Sequence, residues 1–207
     1  MDLLDSVASP EPPLHVKAAI VDGVVFLNDR NWAAAGAGTI LRDDSHADVR
    51  ALRDSIESRG THSTRRLATD KHSALAREAA VLGSARRSVD VCSESFGSDN
   101  PVYLTLRALA ACGVRCRVAV NRVELNPRER RAIASLQSCG VEVRVDEKFC
   151  VADAGHVWIG SANATSTYCN ATQREWAGTT RASSIAVTVR ARFSTYWAVA
   201  KNPPITG

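Results

Sequence analysis

Two stretches of this sequence set similar residue types at nearly the same spacing. The first runs from His15-Val16-Lys17 to Asp22 and, after five intervening residues, reaches Asn28-Asp29-Arg30-Asn31-Trp32. The second runs from Asp146-Glu147-Lys148 to Asp153 and, after six intervening residues, reaches Gly160-Ser161-Ala162-Asn163. Residues i and i+2 of a strand share a face, so His15 and Lys17 converge, as do the residue at 146 and Lys148. A cation and an imidazole facing a loop with Ser and Asn suit the oxygens of a phosphate, with a nucleophile beside it. Asp22 and Asp153, each after a turn-bound strand, would orient a histidine by accepting its N–H, much as in a triad.

These residues need elements to hold them. His15–Val21 and Val24–Leu27, separated by the turn signal Asp22-Gly23, read as a β-hairpin. Ala33–Thr39 is small and flexible, Ala47–Ser58 reads as a short helix, and Arg59–Arg66 as a linker. From Thr69 the rhythm becomes helix and strand in turn. Asp70–Arg86 is expected to be helical, Ser88–Ser95 a strand, Pro101–Cys112 a helix stopped by Gly113, and Val114–Val120 a strand. Asn126-Pro127 starts a helix that ends at Gly140. Val141–Val145 begins another strand, expected to continue through Phe149–Ala152. Val157–Ile159 forms a further one, Ser184–Val189 reads as a strand, and Arg192–Ala200 as a closing helix. Strands separated by helices imply an α/β layered fold.

The 207 residues hold 45% hydrophobic and 23% charged side chains, a globular balance that argues against disordered and collagen-like classes. No apolar run has the length of a membrane span, and Met1–Leu14 carries acids and three prolines rather than a basic, then apolar, export signal. A soluble, cytoplasmic product is therefore expected. Residues 1–60 hold six basic and ten acidic residues, and residues 61–207 twenty and twelve, so the later part is the anion-binding candidate. The cysteines (Cys92, Cys112, Cys116, Cys139, Cys150 and Cys169) form no CxxC pair and read as reduced thiols. No His/Cys cluster has zinc-ligand spacing, so no metal is expected.

The paired pattern resembles the phospholipase D superfamily, whose motif reads HxK, four residues, Asp, six residues, GSxN, and within it the cardiolipin and phosphatidylserine synthases. The resemblance implies an α/β fold with a mixed sheet flanked by helices. It divides the chain into a lead-in (1–14), the motif-bearing end of an incomplete first lobe with its linker (15–66), and a complete second lobe (67–207). It implies that both copies face one active site, with no metal or cofactor. His15 is then the nucleophile that forms a phosphohistidine and Asp22 its orienting partner. Lys17 and Lys148 bind the oxyanion, and Asn31, Ser161 and Asn163 the phosphate. Asp153 matches Asp22, and Glu175 lies where the family often carries a Glu behind its histidine.

Three departures stand out. Asp146 occupies the second histidine position, where Lys148 is expected to keep it ionised and a poor acid. His156, near the hairpin turn, is no obvious replacement. The first loop is one residue short and reads Asn28-Asp29-Arg30-Asn31 rather than GSxN. Fourteen residues before His15 are too few for a whole first lobe, which suggests a fragment of a longer two-lobe protein. The expected activity is phosphodiester hydrolysis or phosphatidyl transfer on phospholipid, with peripheral membrane contact. The alternatives are a nuclease of the same superfamily acting on nucleic acid and a phosphate-binding remnant without turnover.

Overall fold

In the computed structural model, residues 17–28, 40–58, 60–120, 125–144, 149–153, 155–165 and 174–200 are described. The hairpin forms as expected, from β1 (Ala18–Val21) and β2 (Val24–Asn28), around the tight turn at Asp22 and Gly23, both at positive φ (48° and 76°). A strand without a clear signal in the sequence, β3 (Ile40–Asp43), pairs antiparallel with β2 and completes a three-stranded meander. Helix α1 (His46–Ser58) follows.

The rest of the chain builds a seven-stranded mixed sheet. In chain order its elements are β4 (Leu67–Ala68), α2 (Lys71–Gly83), β5 (Ser88–Ser93), α3 (Pro101–Ala111), β6 (Arg115–Val120), α4 (Pro127–Ser138), β7 (Glu142–Arg144), β8 (Phe149–Ala152), β9 (His156–Gly160), β10 (Ala177–Thr180) and α5 (Ser183–Val199). Across the sheet the order is β4-β10-β9-β8-β5-β6-β7, with β5, β6 and β7 parallel and every other pair antiparallel. The helix starts have local causes. Asn100 caps α3 by accepting the Tyr103 N–H at 2.9 Å, with Pro101 next in line. Asn126 and Glu129 form a reciprocal capping box on α4, and Glu129 also accepts the Ser95 hydroxyl. Gly113 and Gly140, at φ 78° and 88°, end α3 and α4 in the left-handed region that glycine enters without penalty.

Two strand expectations are corrected. Val141–Ala152 is not one strand: β7 pairs with β6, whereas β8 lies between β5 and β9. Ser184–Val189 is the first part of α5, not a strand. The apolar residues that bury there are Ala186, Val189, Phe193 and Trp197, at helical spacing, while Val187, in step with a strand alternation, is 68% exposed. The β-branched composition of that stretch gives way to tertiary packing.

Helices α2, α3 and α4 cover one face of the sheet, where Leu75, Val91, Phe96, Leu106, Val118 and Leu136 share a core. The other face carries α5 together with the meander and α1. There Val25, Leu27 and Leu52 pack with Val157, Ile159, Trp176 and Phe193. Arg117 forms a two-bond ion pair with buried Asp90 (2.8 and 3.0 Å) and lies over the rings of Phe193 and Trp197, fastening the end of α5 to β5 and β6.

One buried acid marks α2. Glu78 is 1% exposed, and burial pushes its carboxyl up to about 8. It is thus protonated in the folded protein at neutral pH and ionised in the unfolded chain. Its contribution to stability is present below the ordinary glutamate range and is lost as pH rises toward 8. Urea unfolding should show stability falling between pH 5 and pH 8 by a few kcal/mol, at most ~5. Glu78→Gln should flatten that dependence; an unchanged slope would assign it to another group.

Candidate phosphate site

The sheet directions bring the motif ends together. β5 and β6 finish, β8 begins, β9 finishes and β10 begins at one end of the sheet, and α2, α3 and α4 all start there. An end of a sheet where parallel strands finish and helices begin is suited to anions, because helix N-termini present backbone N–H groups. Ser161 and Asn163 leave the end of β9 into this region, and Glu175 enters β10 from it. The first copy reaches the same place: the Trp176 indole N–H donates to the Asn28 carbonyl at 3.0 Å, joining the end of β2 to the start of β10.

Ser161 is fully buried and firmly held. Its hydroxyl donates to Glu175 Oε2 at 2.6 Å and accepts the Trp176 N–H at 3.1 Å, while its own N–H reaches the Trp176 carbonyl. Ser161 therefore positions the loop with Glu175, itself 2% exposed. The Asn163 amide points otherwise: Nδ2 lies 3.4 Å from Glu94 Oε2, and Oδ1 is buried with no hydrogen-bond partner. A buried acceptor left unpaired costs about 1–3 kcal/mol, which a donor on a bound ligand would relieve. Lys17, 9% exposed, stands at the foot of β1 with its carbonyl accepting the Asn28 N–H at 2.8 Å. His15, Asn31, Asp146 and Lys148 lie outside the described residues.

The two aspartates stand elsewhere. Asp22 and Asp153 occupy the hairpin turns, at the opposite strand ends from Lys17 and from the start of β8. Asp153 Oδ1 accepts the N–H groups of Arg87 and Ser88 at 2.9 and 2.8 Å, and Oδ2 that of Arg86 at 2.7 Å. This carboxylate clamps the β8–β9 turn to the start of β5, a different task from orienting an imidazole at the motif end. Burial pushes its pKa up, but the N–H groups of Ser88, Arg86 and Arg87 and the Arg87 charge outweigh it and hold the carboxyl below its usual range. The stabilisation is thus present at neutral pH and lost as pH falls through that depressed value. Asp153→Ala should destabilise the fold by about 2 kcal/mol in urea unfolding at pH 7, since charged hydrogen bonds are lost and a left-handed position is strained. No change would deny it the clamp. His156 also belongs to the turn end, 3.2 Å from the Ser84 hydroxyl; burial and then Arg181 lower its pKa.

Several residues that the motif did not single out support the loop. Ser93 Oγ accepts the Ala164 N–H at 3.0 Å, Asn100 Nδ2 donates to the Ala164 carbonyl at 2.9 Å, and Phe96 bridges Ala164. Lys71, 3% exposed at the start of α2, donates from Nζ to Thr165 Oγ1 at 3.0 Å. It sets a buried lysine against the loop two residues beyond Asn163. The only sequence signal for Lys71 is its rarity, as one of 4 lysines beside 22 arginines.

Comparison with known proteins agrees with this geometry. The family model described as "Cardiolipin synthase, PLD-like domain" matches residues 79–197, more than half of the chain. No curated protein matches it. Among solved structures, the phospholipase D family member Nuc from Salmonella typhimurium superposes with a TM-score of 0.58 at 17% identity, covering 66% of this chain and 96% of Nuc. Phosphatidylserine synthase of Haemophilus influenzae Rd KW20 gives 0.61 at 9%, covering 91% of this chain and 63% of its own. Polyphosphate kinase from Porphyromonas gingivalis gives 0.63 at 15%, covering 91% of this chain and 34% of its own. At these identities the structures speak for the fold, while the sequence match reaches from α2 to the end of α5, through Lys148, Asp153, Ser161, Asn163 and Glu175. This chain belongs to the phospholipase D-like family.

Proposed function

We propose that this chain cleaves or exchanges phosphodiesters at the motif end of the sheet, through a phosphohistidine on His15. The observation that carries the reading is the Trp176–Asn28 hydrogen bond, which joins the end of the first motif's hairpin to the second motif's loop. His15 attacks phosphorus and its P–N bond forms as the P–O bond to the leaving alcohol breaks; water or a second alcohol then takes the phosphoryl group from His15. Lys17 and Lys148 balance the charge on the phosphate oxygens, with Asn31 and Asn163 as polar contacts. Ser161 and Glu175 hold the loop in place. Asp146 stands where the acid for the leaving alcohol would be. Phospholipid is the favoured substrate class, supported by the cardiolipin synthase description of the matching family. Among the described residues no helix is long and apolar enough to cross a membrane.

A phosphate-binding site without turnover is the second reading, favoured by Asp146 itself. The two separate with bis(4-nitrophenyl) phosphate. Release of 4-nitrophenolate together with a phosphoryl adduct in the intact mass of the protein supports the enzyme. Inorganic phosphate binding with neither signal supports the second reading. Salt-sensitive cleavage of a nucleic acid, with vesicles of anionic phospholipid left intact, would replace lipid by nucleic acid as the substrate.

A further inference from the structure

At the end of the seven-stranded sheet opposite Ser161 and Asn163, cations stand on neighbouring strands. Arg87 immediately precedes β5, Arg115 opens β6, His156 opens β9 and Arg181 follows β10. The register sets them side by side. Arg115 is paired with Ser88, and its N–H donates to the Arg87 carbonyl at 3.0 Å. Burial, and then the charge of Arg181, lower the pKa of His156, which places that guanidinium beside the start of β9. From β10 to β6 the sheet takes four steps between strands, about 19 Å at ~4.8 Å each.

Arg87, Arg115 and Arg181 are exposed, and no hydrogen bond or ion pair ties their guanidinium groups to another described residue, although the Arg87 charge reaches Asp153. Their neighbours are already engaged. Arg86 donates to the Gly83 and Ala85 carbonyls at the end of α2, and Arg107 lies over the Tyr103 ring. Asp153, between β8 and β9 in the middle of the row, accepts three backbone N–H groups. On one flank Asp43 and Asp48 pair with Arg66; on the other, exposed Glu142 opens β7. Cations gathered in this way repel one another, and a polyanion relieves the repulsion. No Phe, Tyr or Trp occurs in 83–88, 112–115, 139–142, 153–156 or 180–184, and none of the exposed large apolar side chains described lies there. A single nucleic-acid strand uses rings to stack its bases, and an interfacial membrane anchor uses apolar side chains to insert. Guanidinium forks without either suit the oxygens of a duplex backbone.

We propose that the sheet end carrying Arg87, Arg115 and Arg181 is a docking surface for double-stranded nucleic acid, held through its phosphates without sequence preference. One strand of a duplex sets a phosphate about every 3.4 Å along the axis, so the row faces about five of them. The six residues of β5 span about 17 Å at ~3.3 Å each, which keeps the docked duplex away from the Ser161 loop. The duplex is bound there, not cleaved.

The probe is a fluorescein-labelled DNA duplex of about 20 base pairs, followed by polarisation with the full chain at low salt. Saturable binding is expected, the same for unrelated sequences, with log affinity falling against log salt at a slope of about −3. Each of Arg87→Gln, Arg115→Gln and Arg181→Gln should weaken binding and reduce the slope by about 1. The triple variant should lose binding while its circular dichroism is unchanged. Lys17→Met should bind the duplex as the unmodified chain does. No binding by the unmodified chain, or binding that survives in the triple variant, overturns the proposal. Binding lost in Lys17→Met overturns it by giving the duplex to the motif end. Vesicles of anionic phospholipid bound in place of the duplex, and released by the triple variant, overturn it in favour of a membrane.

Discussion

Replacing His15 by Ala is expected to lower turnover of bis(4-nitrophenyl) phosphate by about 10³-fold or more and to remove the phosphoryl adduct. The size of the effect follows from the covalent route. Without an imidazole there is no group to hold the phosphoryl between its two alcohols, and what is left is the charge stabilisation by the lysines acting on direct attack by water. Loss of a nucleophile from such a unit removes most of the rate while the remaining groups still bind. Phosphate affinity should therefore change little in His15→Ala, because Lys17, Lys148 and the Asn163 loop remain. Lys17→Met should divide the other way, weakening phosphate binding together with turnover. Equal turnover by His15→Ala and the unmodified chain would sink the covalent reading, and an adduct persisting in His15→Ala would move the nucleophile to another residue.

Much of the fold is legible because its signals are local. Asn100-Pro101 and Asn126-Pro127 announce α3 and α4 within two residues, and Gly113 and Gly140 close them, since a cap depends on its own turn. The elements that escape are those made by their neighbours. Ala177–Thr180 has no strand pattern of its own and becomes β10 because β4 and β9 bond to its two sides. α5 takes its helical form from the core that receives Phe193 and Trp197. The site divides in the same way. GSxN and HxK are spacings along one strand and its loop, so they can be read directly. Lys71 meets Thr165 across 94 positions, and Trp176 meets Asn28 across 148. Contacts of that range exist only once the sheet order is known. The aspartates show the other side of spacing: it found both, but only the sheet order brings Asp153 to the start of β5, where its carboxylate accepts three backbone N–H groups.

Restoring histidine by Asp146→His is expected to raise turnover by about 10²-fold, and the pH profile shows why. The proposed reaction would need neutral His15 and a protonated acid at 146. For free side chains, at ~6.5 for histidine and ~3.9 for aspartate, the two conditions coincide in ~1/400 of the molecules midway between those values and in ~1/800 at either of them. Two histidines near ~6.5 meet the same conditions in ~1/4 of the molecules at pH 6.5. The ratio is on the order of 10², within the usual reach of general acid catalysis. A protonated carboxyl is the stronger acid, which offsets part of this gain. The shape of the profile is as diagnostic as the rate. The unmodified chain should show a broad, low plateau on the acid side, and Asp146→His a higher bell centred near pH 6.5. A higher rate with an unmoved profile would mean that the substitution acts by relieving charge repulsion on the phosphate rather than by supplying a proton. An unchanged rate and profile would place the limit away from the leaving group, and proton delivery at 146 would then have no part in the slow step.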